Sequence, residues 1–148
     1  MIVDDLKLTG RLTVDLVAED GTIKDTQEIP NLVVTTGKTF VASRMAGTAS
    51  GVMSRMAIGT SNTAAVVGDT SLASEVARVA LASTTANNND VVYVASFPAN
   101  TPSTASGVVE AAIFNDSSAG TMLCRTVFGV INKQPTDSLS ITWTVSAS

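Results

Sequence analysis

Three short stretches of this sequence carry residue types at spacings that could do chemistry. The first is Thr36-Gly37-Lys38-Thr39, inside NLVVTTGKTFVASRM (residues 31–45), where a strand-like run meets a Gly-Lys-Thr turn and then a helical pattern. A phosphate-binding loop needs G-x-x-x-x-G-K-[ST], because its first glycine lets the backbone wrap the phosphates while the lysine reaches them. Counting back from Gly37, that first position is Leu32, which cannot take glycine's torsions cheaply. The stretch therefore reads as a helix N-terminus with a solvated Lys38.

The second stretch is Gly68-Asp69-Thr70-Ser71, of the type that supplies one carboxylate of an aspartic-protease pair. A homodimer could bring the second. The catalytic turn should be flanked by apolar strands, whereas this one opens onto Leu72-Ala73-Ser74-Glu75-Val76, so Asp69 reads as a helix cap. The third is Glu110 with Arg125. In a hairpin closed by residues 115–120, Phe114 faces Thr121 and Glu110 faces Arg125, a cross-strand ion pair of about 0.2–1 kcal/mol rather than an acid site.

Other candidates are weaker. Asn115-Asp116-Ser117 has the glycosylation pattern but reads as a turn, and the Asn-rich residues 87–90 lack the carboxylates of a calcium loop. Met45, Met53, Met56 and Trp143 read as core. The chain contains no histidine and one cysteine, Cys124. Disulfide frameworks, Cys/His zinc sites and histidine-based triads are excluded for it, and no catalytic residue, cofactor or metal is expected.

The elements that must position these residues follow from periodicity. Leu6, Leu8, Leu12, Val14 and Leu16 share one parity and Lys7, Thr9, Arg11, Thr13 and Asp15 the other, the signature of a strand with one wet face. Gly10 marks a candidate bulge. Glu19-Asp20-Gly21 turns the chain into a second strand over 22–29, which Pro30 should end. A helix is predicted over 36–46, capped by Thr35 or Thr36, striped by Phe40, Val41 and Met45, and stopped by Gly47. A short strand over 51–58 and a loop over 59–69 lead to a second helix over 71–78, where Leu72 and Val76 stand at i, i+4.

Strands are then predicted over 79–86, 91–97, 107–114, 121–131 and 138–146, separated by turn clusters. In the last, Leu139, Ile141, Trp143 and Val145 should face inward and Ser140, Thr142 and Thr144 outward. The fold expected is a single mainly β domain over 1–148, an antiparallel β-sandwich or barrel-like fold, jelly-roll-like among the options, with two short helices. Residues 1–29 would form an acidic N-terminal hairpin and 30–148 the core.

A chain of 148 residues can bury about 70% of its unfolded surface, so one domain needs no staple. Charged residues make up only 15% of it, against about 25% in an average domain, which points to surface covered by other subunits. Residues 1–37 hold seven acids against three bases, and that imbalance equals the whole formal charge of −4. An acidic first quarter argues against nucleic acid or an anionic membrane as partner, since both require clustered cations. Asp4, Asp5, Asp15, Glu19 and Asp20 are its candidate partner-binding residues. The start MIVDDLK lacks the basic, then apolar, pattern of a secretion signal, so the chain is expected to be made in a cytoplasm.

Two stretches, 56–78 and 108–145, resemble a group of small virion proteins of tailed bacteriophages. The shared pattern is M-x-x-G-T-x-x-T-A, D-T-x-L-x-x-E-x-x-R, E-A-x-[IL]-F-N, G-x-x-[ML]-x-R-x-x-F and D-x-L-x-I-T-W. It falls here on Met56, Gly59, Thr60, Thr63, Ala64, Asp69, Thr70, Leu72, Glu75, Arg78, Glu110, Ala111, Ile113, Phe114, Asn115, Gly120, Met122, Arg125, Phe128, Asp137, Leu139, Ile141, Thr142 and Trp143. Residues 1–29 do not map onto the group.

The resemblance implies a structural protein and no enzyme. Its leading implication is a capsid decoration (cement) protein, a homotrimer on the outer surface of the phage head that contacts the major capsid protein. The acidic hairpin would then offer a charged face or an edge strand for β-addition. The alternative is a tail fibre or tail-tip module whose loops 59–69 and 98–106 bind a host receptor. A small enzyme built on Asp69 or Glu110 is the reading of a third class.

Overall fold

The computed structural model describes residues 7–48 and 51–148. Nine strands and one helix follow in the order β1 (Leu8–Val17), β2 (Ile23–Val33), α1 (Thr35–Met45), β3 (Arg55–Gly59), β4 (Glu75–Ala80), β5 (Ser83–Asn87), β6 (Asp90–Phe97), β7 (Ser106–Phe114), β8 (Met122–Lys133) and β9 (Ser138–Ala147). All pairings are antiparallel, in the spatial order β4-β3-β7-β8-β2-β1-β9-β6-β5. The sheet curls into a half-barrel, so the barrel-like form of the expected β domain is the one realised.

Alternation builds the core. Leu12, Val14 and Leu16 of β1 and Leu139, Ile141 and Trp143 of β9 are buried, while Ser140, Thr142 and Thr144 face out. They meet Met56 and Ile58 of β3, Ala111 and Ile113 of β7, and Cys124 and Ile131 of β8 in one cluster. A smaller cluster of Val34, Ala57, Leu72, Ala112, Phe114 and Met122 lies apart from it. Both faces of β7 are thus apolar, and its neighbours must cover both.

Several expectations are corrected. Residues 71–78 are not a helix: the chain over 75–80 is strand β4, paired with β3. Leu72 and Val76 fit a helical face, but β3 has an open edge whose backbone groups pair with this segment, and tertiary pairing overrides a short local pattern. Leu72 is buried in the smaller cluster, whereas Val76 is exposed.

Pro30 does not end β2. Its carbonyl accepts the Thr126 hydroxyl on the β8 side, at 2.9 Å, so its missing N–H points to the same side, where backbone pairing begins only at Leu32. Nor does Gly10 mark a bulge. It stays in register with Asn31, whose side-chain amide fills the space a Cβ at Gly10 would take, and the irregularity falls at Leu16/Val17.

Helix α1 is capped at Val34 rather than at Thr35 or Thr36, and valine has no side-chain acceptor to offer; the Thr36 hydroxyl, inside the first turn, donates to the Met122 carbonyl at 2.9 Å. Gly47, at φ +72°, ends it with Gly47 N–H to Arg44 and Thr48 N–H to Ser43, a Schellman pair. Phe40 and Val41 pack on the core, but Met45 is 81% exposed, at an open depression that it lines with Lys7, Leu8 and Thr9.

Candidate functional site

The Gly-Lys-Thr stretch is a packing device. Gly37 is buried in the first turn of α1, and a Cβ there would overlap the Leu123 carbonyl of β8. Glycine is thus what lets the helix lie directly on the strand, and Lys38 points to solvent.

Glu110 and Arg125 do meet, though not as a surface pair. Glu110 on β7 faces Val127, and Arg125 on β8 faces Ala112, since register shifts in this hairpin move the strands away from the simple count. The two side chains meet diagonally, with Arg125 Nη2 3.0 Å and Nε 3.3 Å from Glu110 Oε1. Both are buried: exposure is 0% for Glu110 and 1% for Arg125.

A buried carboxylate has to have its lone pairs filled. Besides the guanidinium, Glu110 accepts backbone N–H groups from Ser61 (3.1 Å), Ala73 (3.0 Å) and Ser74 (2.8 Å). All three belong to the loop joining β3 to β4. Arg125 holds the same loop by donating to the Thr63 carbonyl and to Asp69 Oδ2, each at 2.9 Å.

Asp69 is therefore not a helix cap. It closes a tight turn, accepting Val66 N–H at 2.9 Å while its own N–H donates to the Val66 carbonyl. Gly59 completes the arrangement, since a Cβ there would overlap Glu110 Oε2 and lie 2.5 Å from the Ser74 carbonyl.

Beside this anchor stands a second. Arg78 on β4 lies 3.8 Å over the Phe114 ring and makes two bonds to Glu75, at 2.7 and 3.0 Å. It also donates to the Asp116 and Ala119 carbonyls, tying β4 to the turn between β7 and β8. That turn is set by Asn115, which exchanges hydrogen bonds with Thr121, and by Gly120 at φ +78°. Asp69, Glu75, Arg78, Glu110 and Arg125 thus act together to fasten one loop and one turn.

A third network was not visible in the sequence. Lys133 is 1% exposed and donates to the Asp137 carbonyl at 2.7 Å and the Pro98 carbonyl at 3.2 Å. Asp137 Oδ2 accepts from Lys24 Nζ and from Gln134 N–H, both at 2.9 Å. The Gln134 N–H bond, followed by the Lys24 bond, holds the Asp137 carboxyl below its ordinary value, while burial lowers the Lys133 amine. Only Asp137 carried a sequence signal, through the D-x-L-x-I-T-W motif. Nothing local ties it to Lys24, more than a hundred residues earlier.

The candidate partner-binding acids are dispersed. Asp4 and Asp5 lie outside the described residues. Asp15 accepts the Thr26 hydroxyl across the first hairpin, Asp20 accepts the Thr22 hydroxyl and N–H inside its turn, and Glu19 is exposed. The Thr22 hydroxyl is the chief reason the Asp20 carboxyl is lowered. β1 lies between β2 and β9, whereas β2 pairs with β8 only at Leu32 and Val33, so residues 23–31 of β2 have no backbone ladder on the β8 side; the end strands of the sheet are β4 and β5. Trp143 is fully buried in the main core.

The arrangement can hold a surface still. Among the described residues no cluster of three metal-ligating side chains occurs, and no helix is long and apolar enough to cross a membrane. Comparison of the chain with protein-family models, curated proteins and solved structures returns no match.

Proposed function

We propose that this protein is a binding component of a tailed-bacteriophage virion, a capsid decoration protein that sits as a trimer on the outer surface of the head and bridges copies of the major capsid protein. The observation that carries the reading is the use made of the recurring charged residues. Asp69, Glu75, Arg78, Glu110 and Arg125 are engaged with one another and with backbone groups of the loop and turn they fasten. A binding role asks for a surface ordered in advance, because each segment immobilised on association costs affinity.

What that loop displays also supports the reading. Val66 and Val67 are 55% and 53% exposed, on a turn locked by Asp69 and Arg125. Apolar side chains on a rigid, charge-poor surface suit a protein partner better than a nucleic acid. A protein that binds only the assembled shell stabilises it by about 2.7 kcal/mol per site when free at a hundred times its dissociation constant. A trimer touching several neighbours adds avidity without any strong single contact.

The test is the copy number of this chain relative to the major capsid protein, by quantitative mass spectrometry of purified virions. A near-stoichiometric ratio is expected. A few copies per particle would move the protein to the tail and a host receptor, and absence from the virion would reopen an enzymatic role.

A further inference from the structure

A depression of about 350 Å³ runs along one face of α1, from Thr35 and Thr36 past Ser43 to Thr48, beside Thr121 in the turn before β8. Six side chains of its lining carry a hydroxyl: Thr35, Thr36, Thr39, Ser43, Thr48 and Thr121. The seventh lining residue is Phe40, half-buried and packed against the main core. Among the described residues no charged side chain lines it.

The hydroxyls are of two kinds. Those of Thr36, Ser43 and Thr48 donate to the carbonyls of Met122, Phe40 and Ser43, which fixes their rotamers and leaves their oxygens as acceptors. Those of Thr35, Thr39 and Thr121 have no hydrogen-bond partner among the described residues. Thr121 is nonetheless held in place, because Asn115 clamps both its N–H and its carbonyl.

This lining selects a ligand class. An anion or cation would find no charged side chain among the described lining residues, and a purely apolar molecule would strand three free hydroxyls. A neutral polyhydroxylated ring satisfies both sides, exchanging hydrogen bonds with groups that donate and accept while its C–H face lies on the Phe40 ring. The volume is at the small end of ligand sites. We propose that this depression is a binding site for a neutral sugar residue, with Thr35, Thr39 and Thr121 as its hydrogen-bonding groups and Phe40 as its stacking face. The assignment does not depend on where in a particle the protein sits.

The experiment is a titration of the isotope-labelled full chain with glucose, galactose and N-acetylglucosamine in turn, and with glucuronate as the anionic counterpart, followed in amide correlation spectra. The same titrations are run on Thr39→Val and Thr121→Val, which keep the side-chain shape, and on the double variant. At least one neutral sugar should give saturable shifts centred on residues 35–43 and on Thr121. Its dissociation constant should rise about tenfold or more in the double variant and about threefold in each single variant, which still reads the site if the double variant fails to fold. Shifts that grow linearly with every sugar, affinity unchanged in the variants, or glucuronate bound as well as the neutral sugars would each overturn the assignment.

Discussion

Arg125 and Glu110 are joined inside the protein, Nη2 to Oε1 at 3.0 Å, with the guanidinium shared by Asp69 at 2.9 Å on its other side. One buried cation thereby links the β7–β8 hairpin to the loop between β3 and β4. Replacing one member strands the others. Glu110→Gln keeps the shape but offers one acceptor oxygen to five donors, and should lower stability by about 3 kcal/mol, read as a fall in the urea midpoint at unchanged slope. A loss under about 1 kcal/mol would mean that the pair behaves as an exposed one. Asp69 is 22% exposed at its side chain, so Asp69→Asn should cost less.

Gly37→Ala sets helix propensity against packing. Alanine favours an exposed helix interior by about 1 kcal/mol over glycine. Here its Cβ would overlap the Leu123 carbonyl, a backbone atom that cannot step aside without moving β8. The expected net effect is destabilisation by about 2 kcal/mol, with altered amide signals in both α1 and β8. Gly68→Ala, where nothing lies within 4 Å of the added carbon, is the control and should change stability by less than about 0.5 kcal/mol.

Acid should act through Asp137. Its carboxyl is held below the ordinary value of 3.8 in the folded chain, so the folded state binds this proton less readily than the unfolded state does. The stabilisation is present in full above that ordinary value and is lost as pH falls through the lower, folded pKa. Unfolding free energy followed downward from pH 5 should therefore fall more steeply in the wild type than in Asp137→Asn. Parallel curves would remove the Lys24 and Gln134 contacts from the account of acid stability.

Cys124 should be chemically silent. It is buried, and burial pushes its thiol well up, so little thiolate forms and no reagent reaches it. A thiol-specific dye should label it only in denaturant, in step with loss of structure. Rapid labelling of the native protein would show that β8 opens locally.

Much of the fold was legible in the chain because strand alternation is a local property. The inward row of Leu139, Ile141, Trp143 and Val145 is written at every second residue, and the turn at Glu19-Asp20-Gly21 needs only its own residues, with Gly21 at φ +90°. The antiparallel β class and the helix after residue 34 follow from such patterns. Segment 71–78 did not, because Leu72 and Val76 satisfy helix and strand-with-loop alike, and the choice was made by the free edge of β3, which local residues do not know about.

The candidate site divides in the same way. The sequence placed Glu110 and Arg125 on the two strands of one hairpin, since that needs only a turn between two apolar runs. Their diagonal contact depends on register shifts, their burial on a loop folded over them, and Asp69 arrives from more than fifty residues away. Composition and alternation decide which residues turn inward. Which buried charges find each other is decided by long-range closure, because pairing requires partners that are neighbours only once the sheet has curled.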